Sequence, residues 1–157
     1  MKLFLLRHAE AEFGSGPEGD ISRELTIRGQ TQISRLALLL KKDQIRFDLI
    51  LSSNAKRTKQ STEILTHSLL VKKTHFLREL YEADPHQVLT IINKINEGDV
   101  FNLLVVGHNP TISTLISYLT GEEFINLQPG MMAKIEIHVN NWKEIGRHTG
   151  TLVEILQ

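Results

Sequence analysis

Three short apolar runs, each stopped by polar residues, constrain this chain most. Leu3 to Leu6 stops at Arg7-His8, Asp48 to Leu51 at Ser52-Ser53-Asn54, and Phe101 to Val106 at Gly107-His108. Such short runs suit strands buried on both faces of a parallel sheet. Between them the apolar period changes to that of a helix. Ile33, Leu36, Ala37 and Leu40 recur at helical spacing behind Thr26, a suitable N-cap, with Gly29 tolerated at some cost. A helix is expected from about Ala55 to Leu70, capped by Ser52-Ser53-Asn54. A weak strand near Thr74 to Leu77 follows, and Glu79 to Ala83 reads as loop. Asp84-Pro85 opens a helix with Val88, Ile91, Ile92 and Ile95 on one face and Gly98 at its end. Pro110 or Thr111 starts another, with Ile112, Leu115, Ile116 and Leu119 inward and Gly121 closing it. Alternation at Ile135, Ile137 and Val139, and a partner at Thr151 to Leu156, imply an antiparallel hairpin at a sheet edge. The lone Trp142 falls in the loop of that hairpin. The stretch Gly14 to Gly19 reads as loop.

The order βαβαβαβα plus two strands implies a three-layer αβα fold. Its sheet is mostly parallel, with helices on both faces and a C-terminal antiparallel hairpin. Residues 1–157 are expected to form one domain. There is no cysteine, so disulfides, thiolate metal sites and cysteine nucleophiles are excluded. The 18 basic and 18 acidic residues balance, which argues against a nucleic-acid partner. Met1-Lys2 precedes an apolar run too short for a signal-peptide core, and Leu36 to Leu40 is far short of a membrane span. The reading is a cytoplasmic protein with no membrane partner. Its oligomeric state is left open.

Open α/β sheets place ligands at the carboxyl ends of their strands. Arg7-His8, Arg57 and His108 all follow strands there. Two guanidiniums and two imidazoles make a cationic pocket whose natural guest is a phosphate. A helix start at Ser53 to Arg57 adds backbone donors and a favourable dipole. A neutral imidazole can attack phosphorus and form a covalent phospho-enzyme, with the cations stabilising charge on the transferring oxygens. The competing reading, a metal held by His8, Glu10 or His108, is disfavoured by Arg7 and Arg57. No metal and no cofactor are expected. The other histidines, His67, His75, His86, His138 and His148, show no ligand spacing.

Four segments carry a family resemblance. Leu6-Arg7-His8-Ala9-Glu10 resembles the Arg-His-Gly signature of the histidine phosphatase (phosphoglycerate mutase-like) superfamily. Asp20 to Gly29, with Arg23, Leu25-Thr26 and Gly29, resembles its Arg-x-Leu-Thr-x-x-Gly segment. Ser52 to Ser61 is similar to its Ser-Pro-x-x-Arg-Thr-x-Gln-Thr segment, and Val106 to Pro110 to its second histidine motif. Ala9 stands where the signature has Gly, and Asn54 where the second motif has Pro. The small size and the Arg-His-Ala-Glu-Ala start resemble the compact SixA branch, which acts on phosphohistidine in proteins.

The resemblance implies a phosphoglycerate mutase-like fold and a metal-independent phosphatase. His8 would become phosphorylated, and Arg7, Arg57 and His108 would hold the phosphoryl group. Glu82 falls where many members keep a carboxylate that protonates the leaving group; as a loop residue it equally suits a solvated carboxylate. Phosphohistidine needs that acid less, because imidazole leaves with a free pKa of about 6.5. Glu10 and Glu12 either orient a histidine or face solvent. Asn109 either bonds within the pocket or shapes the turn before Pro110. The partner is a phosphorylated substrate, either a phosphohistidine protein or a small phosphoester. A binding module that keeps the pocket without turnover is the alternative to an enzyme.

Overall fold

The computed structural model describes residues 1–14, 18–96 and 98–157. Six strands form one sheet: β1 (Lys2–Arg7), β2 (Phe47–Ser53), β3 (Val71–Leu77), β4 (Asn102–Gly107), β5 (Met132–Ile137) and β6 (Gly150–Leu156). Four α-helices accompany them: α1 (Ile27–Lys42), α2 (Lys56–Thr66), α3 (Pro85–Asn93) and α4 (Thr111–Thr120). The sheet order is β3-β2-β4-β1-β5-β6. The first four strands in that order are parallel, while β5 runs antiparallel to β1 and pairs with β6 as the expected hairpin.

The two faces follow from alternation along the central strands. Leu3, Leu5, Leu103 and Val105 bury against Val88 and Ile92 of α3 and Ile112, Leu115, Ile116 and Leu119 of α4. Phe4, Leu6, Leu104 and Val106 bury against Ile33, Leu36 and Leu40 of α1 and Leu65 of α2. With both sides covered, β1 and β4 have no solvent face, which is why they read as unbroken apolar runs. Trp142 is buried in the first of these clusters, and its indole N–H donates to the Val100 carbonyl at 2.8 Å. It joins the hairpin turn to the core.

Several boundaries differ from expectation. Helix α2 ends at Thr66, short of the expected Leu70, and β3 begins at Val71, ahead of the expected Thr74. β3 is an edge strand with mostly exposed side chains, so its pattern carries little apolar signal. Helix α3 stops at Asn93, and Gly98 lies beyond it. The N-cap of α2 is Ala55 without a side-chain bond; Ser53 Oγ instead accepts from the Ala55 N–H at 3.3 Å. Strand β5 starts earlier, at Met132, and ends at Ile137. Thr26 caps α1 through the Gly29 N–H, and Asp84 closes a capping box with Gln87. Within the expected loop from Gly14 to Gly19, residues 15–17 lie outside the described residues; Gly14 and Gly19 have φ of 82° and 88°.

Candidate active site

The sheet order brings three strand ends side by side. β4 lies between β1 and β2, with Arg7 opposite Gly107 and Ser52 opposite Val106. The residues that follow these strands therefore converge. The His8 N–H donates to the Gly107 carbonyl at 3.1 Å, and the Gly130 N–H caps the Arg7 and His8 carbonyls. Ala9 is fully buried, and its N–H donates to Ser61 Oγ of α2 at 3.1 Å. The backbone that carries His8 is held from three sides.

The hydrogen bonds assign both imidazole tautomers. His8 Nδ1 lies 2.7 Å from the Ala9 carbonyl, which only accepts, so the proton sits on Nδ1. Nε2 keeps the lone pair and accepts from Arg57 Nε at 3.3 Å. His108 Nδ1 faces Arg57 Nη2 at 3.3 Å, and a guanidinium only donates, so the proton is on Nε2, which donates to Ser53 Oγ at 2.9 Å. The two ring centroids are 5.2 Å apart. Burial pushes His8 down to about 4; the Ala9 bond opposes that shift, and Arg57 and Arg7 reinforce it. Burial, then His8 and Arg57, push His108 down to about 3. Both rings are uncharged at physiological pH.

Arg57 is 5% exposed and is the hub of the cluster. Beyond the two histidines it donates from Nη1 to the Asp20 carbonyl at 2.7 Å and from Nη2 to Asp20 Oδ2 at 2.9 Å. The Tyr81 hydroxyl donates to the same Oδ2 at 2.8 Å, and Arg23 Nε is 2.9 Å from Oδ1. Arg7 donates from one Nη to the Leu127 carbonyl at 2.8 Å. Its Nε is buried without a hydrogen-bond partner among the described residues.

A cavity of about 290 Å³ opens beside Arg57 and His108. Buried Leu80, Val88, Val105 and Ile112 line it, along with Asp20, Tyr81 and Glu82. Its lining omits His8 and Arg7, so it adjoins the histidine pair through Arg57 and His108. Glu82 is exposed there, at a left-handed φ of 59°.

The sequence candidates thus divide. Arg7, His8, Arg57 and His108 are brought together, and Glu82 stands at the neighbouring cavity. Glu10 turns away: its carboxylate accepts from Thr26 Oγ1 at 2.9 Å and pairs with Arg28 at 3.4 Å, at the start of α1. Asn109 spends its amide on structure. It donates to the Leu127 carbonyl at 3.0 Å and accepts from the Ser113 N–H and hydroxyl at the start of α4. Asp20 and Tyr81 join the cluster without a sequence signal of their own: Asp20 opens the segment that carries Arg23, Leu25-Thr26 and Gly29, and only the folded chain sets it on Arg57. Ser53, expected as a helix cap and backbone donor, contributes its hydroxyl to His108 Nε2. No three histidine, aspartate or glutamate side chains among the described residues are grouped to hold a metal ion.

Residues 3–88 match the sequence profile of the histidine phosphatase superfamily (branch 1). The chain belongs to that superfamily. This phosphatase is 34% identical over 119 residues to a Mycobacterium leprae protein, covering 74% of this chain and 71% of that one. It is 26% identical over 152 residues to a chloroplastic Arabidopsis thaliana protein, covering 91% and 69%. Among solved structures it resembles a SixA-assigned protein from Agrobacterium tumefaciens, at TM-score 0.83 and 25% identity, covering 99% and 97% of the two chains. A SixA-assigned structure from Nakamurella multipartitia has the same fold at TM-score 0.85 and 24% identity, covering 99% and 95%. Among the described residues no helix is long and apolar enough to cross a membrane.

Proposed function

We propose that this phosphatase works through a phosphohistidine on His8, without a metal, and that its substrate is phosphohistidine in a cytoplasmic protein. The observation that carries the reading is the His8 tautomer. Nδ1–H is committed to the Ala9 carbonyl, so the Nε2 lone pair faces the cluster in a ring held neutral. That is the form in which an imidazole is a nucleophile. Nε2 attacks phosphorus and the bond to the leaving group breaks. Water then attacks phospho-His8 and releases phosphate and the free imidazole. Arg57 and the unpartnered Arg7 Nε supply donors for the phosphoryl oxygens, and the charge they carry offsets the charge spread over those oxygens in the transition state. A dianion next to His108 favours its protonated form, which then donates as well. A divalent cation would have to sit among guanidiniums, which is electrostatically unfavourable.

The substrate class draws support from the SixA-assigned neighbours, one of them described as a protein histidine phosphatase complexed with tungstate. A small phosphomonoester is the second reading. Neighbours of the same fold are described as α-ribazole phosphatases, and Glu82 beside the cavity is a carboxyl that an alkoxide leaving group would need. The test is hydrolysis of an aryl phosphate and of a phosphohistidine protein in excess chelator, with wild type and His8→Ala. Chelator-resistant turnover that is lost at least 1000-fold in His8→Ala is expected. Turnover surviving in that variant would reject the covalent route. Phosphate binding with no turnover on either substrate would leave a binding module.

A further inference from the structure

Resting on the phospho-His8 reading, we infer that Asp20 and Tyr81 form a leaving-group subsite for a ring bearing an N–H, the imidazole of a phosphohistidine. Asp20 lines the cavity next to the histidine pair, on the side of Arg57 and His108. Its side chain is 52% exposed, so a ligand can reach it. A carboxylate offers about four lone-pair positions. Here Arg57 Nη2 and the Tyr81 hydroxyl meet Oδ2, and Arg23 meets Oδ1, which leaves room for a further donor. Burial pushes Asp20 up, but the Tyr81 hydroxyl and the Arg57 guanidinium outweigh it and hold the carboxyl below its usual range. It is anionic wherever the enzyme operates near neutrality.

The rest of the cavity suits a flat ring. Leu80, Val88, Val105 and Ile112 give it apolar walls, and its volume of about 290 Å³ exceeds what an imidazole needs. Tyr81 stands edge-on to His108, with ring centroids 5.7 Å apart, so one wall is aromatic.

The chemistry then sorts two substrate classes. In a phosphoimidazole the nitrogen distal to phosphorus can carry a proton, and Asp20 accepts that N–H. When His8 Nε2 bonds to phosphorus, the P–N bond breaks and its electron pair goes to the proximal ring nitrogen. The ring departs neutral and keeps its distal proton, so no acid is consumed. In a phosphoester the electron pair goes to oxygen. The leaving anion then develops beside the Asp20 carboxylate, which disfavours it unless another group supplies a proton. The same carboxylate that welcomes an N–H ring therefore opposes an alkoxide.

The test compares kcat/KM for phosphoimidazole with kcat/KM for p-nitrophenyl phosphate. Asp20→Asn keeps an acceptor for Arg57 and Tyr81 but removes the charge. It should lower the ratio of the two constants at least about tenfold, the scale of one lost charge-assisted hydrogen bond. A ratio unchanged in the variant would mean that Asp20 only holds Arg57, and would overturn the subsite. A second measurement needs only wild type. A phosphoimidazole methylated on its distal nitrogen has no N–H, and should react at least tenfold more slowly once each rate is divided by its uncatalysed rate. Equal normalised rates would also overturn the subsite. His8→Ala run alongside separates the two failures. If that variant still turns over, the phospho-His8 reading has failed; if it is inactive while the ratios do not move, only the subsite has.

Discussion

His8 and His108 are held uncharged in a setting rich in cations, and this has a consequence for stability. Their folded values, about 4 and about 3, lie below the unfolded value of about 6.5. The unfolded chain therefore binds more protons than the folded one in that range. Stability from these rings is fully present above about pH 6.5 and is lost as pH falls through about 4. The thermal midpoint should drop across that window, and less steeply in His108→Gln, which has one such group fewer. Parallel profiles for the two proteins, followed by scanning calorimetry, would count against a buried neutral pair. At this scale the sequence already displayed the four residues that the fold gathers, since Arg7, His8, Arg57 and His108 stand in recognisable segments. The roles of Glu10 and Asn109 were not legible. Each lies within two residues of a candidate site residue in the chain, yet each side chain is claimed by the start of a helix. Neighbours in sequence point in different directions once the strand has ended.

At the scale of elements, the first turn of α1 is pressed against the His8 loop. The Thr26 N–H donates to the Glu10 carbonyl at 3.0 Å, and the Gln32 side chain accepts from the Glu10 N–H. Gly29 permits that approach, because a Cβ there would run into the Glu10 carbonyl oxygen. Helix propensity alone favours Ala over Gly by up to about 1 kcal/mol. The backbone collision opposes it, and overpacking of this kind costs about 1–3 kcal/mol. Gly29→Ala should therefore destabilise the protein by roughly 1–2 kcal/mol in urea unfolding, with a loss of activity as the His8 loop shifts. A stabilised variant would mean that the loop yields freely. The Asp84-Pro85 helix start and the Thr26 cap were readable because they depend on local spacing, whereas the reciprocal bond with Gln87 appears only in the folded chain. The limits of α2, β3 and α3 were not: the exposed edge strand β3 leaves little apolar pattern, while Leu69 and Ile95 pack against the core beyond the ends of α2 and α3 and carry the apolar pattern past them.

For the whole molecule, the sheet order decides which strand ends meet. Because β4 inserts between β1 and β2, the chain after each of these three strands reaches one point, and Arg57 can touch both histidines. An anion bound there by several elements should stabilise the entire fold. Inorganic phosphate or tungstate at 100 times its dissociation constant contributes about 2.7 kcal/mol. In a domain of this size that raises the thermal midpoint by roughly 5–10 °C. Arg57→Ala should lose most of this shift, while an equal shift in the variant would remove Arg57 from the binding site. By itself the sequence determined the elements, the layer architecture and the residue types gathered at the strand ends. Periodicity, caps and short apolar runs are local signals, and they survive in a linear text. Only the tertiary structure decided that Asp20 sits on Arg57, that Tyr81 borders the cavity, and which nitrogen of each imidazole bears the proton. Asp20, Tyr81 and His108 are placed by hydrogen bonds between segments dozens of residues apart, and the His8 proton by the way the folded backbone turns the neighbouring Ala9 carbonyl onto Nδ1; no local pattern encodes which donor will meet which acceptor.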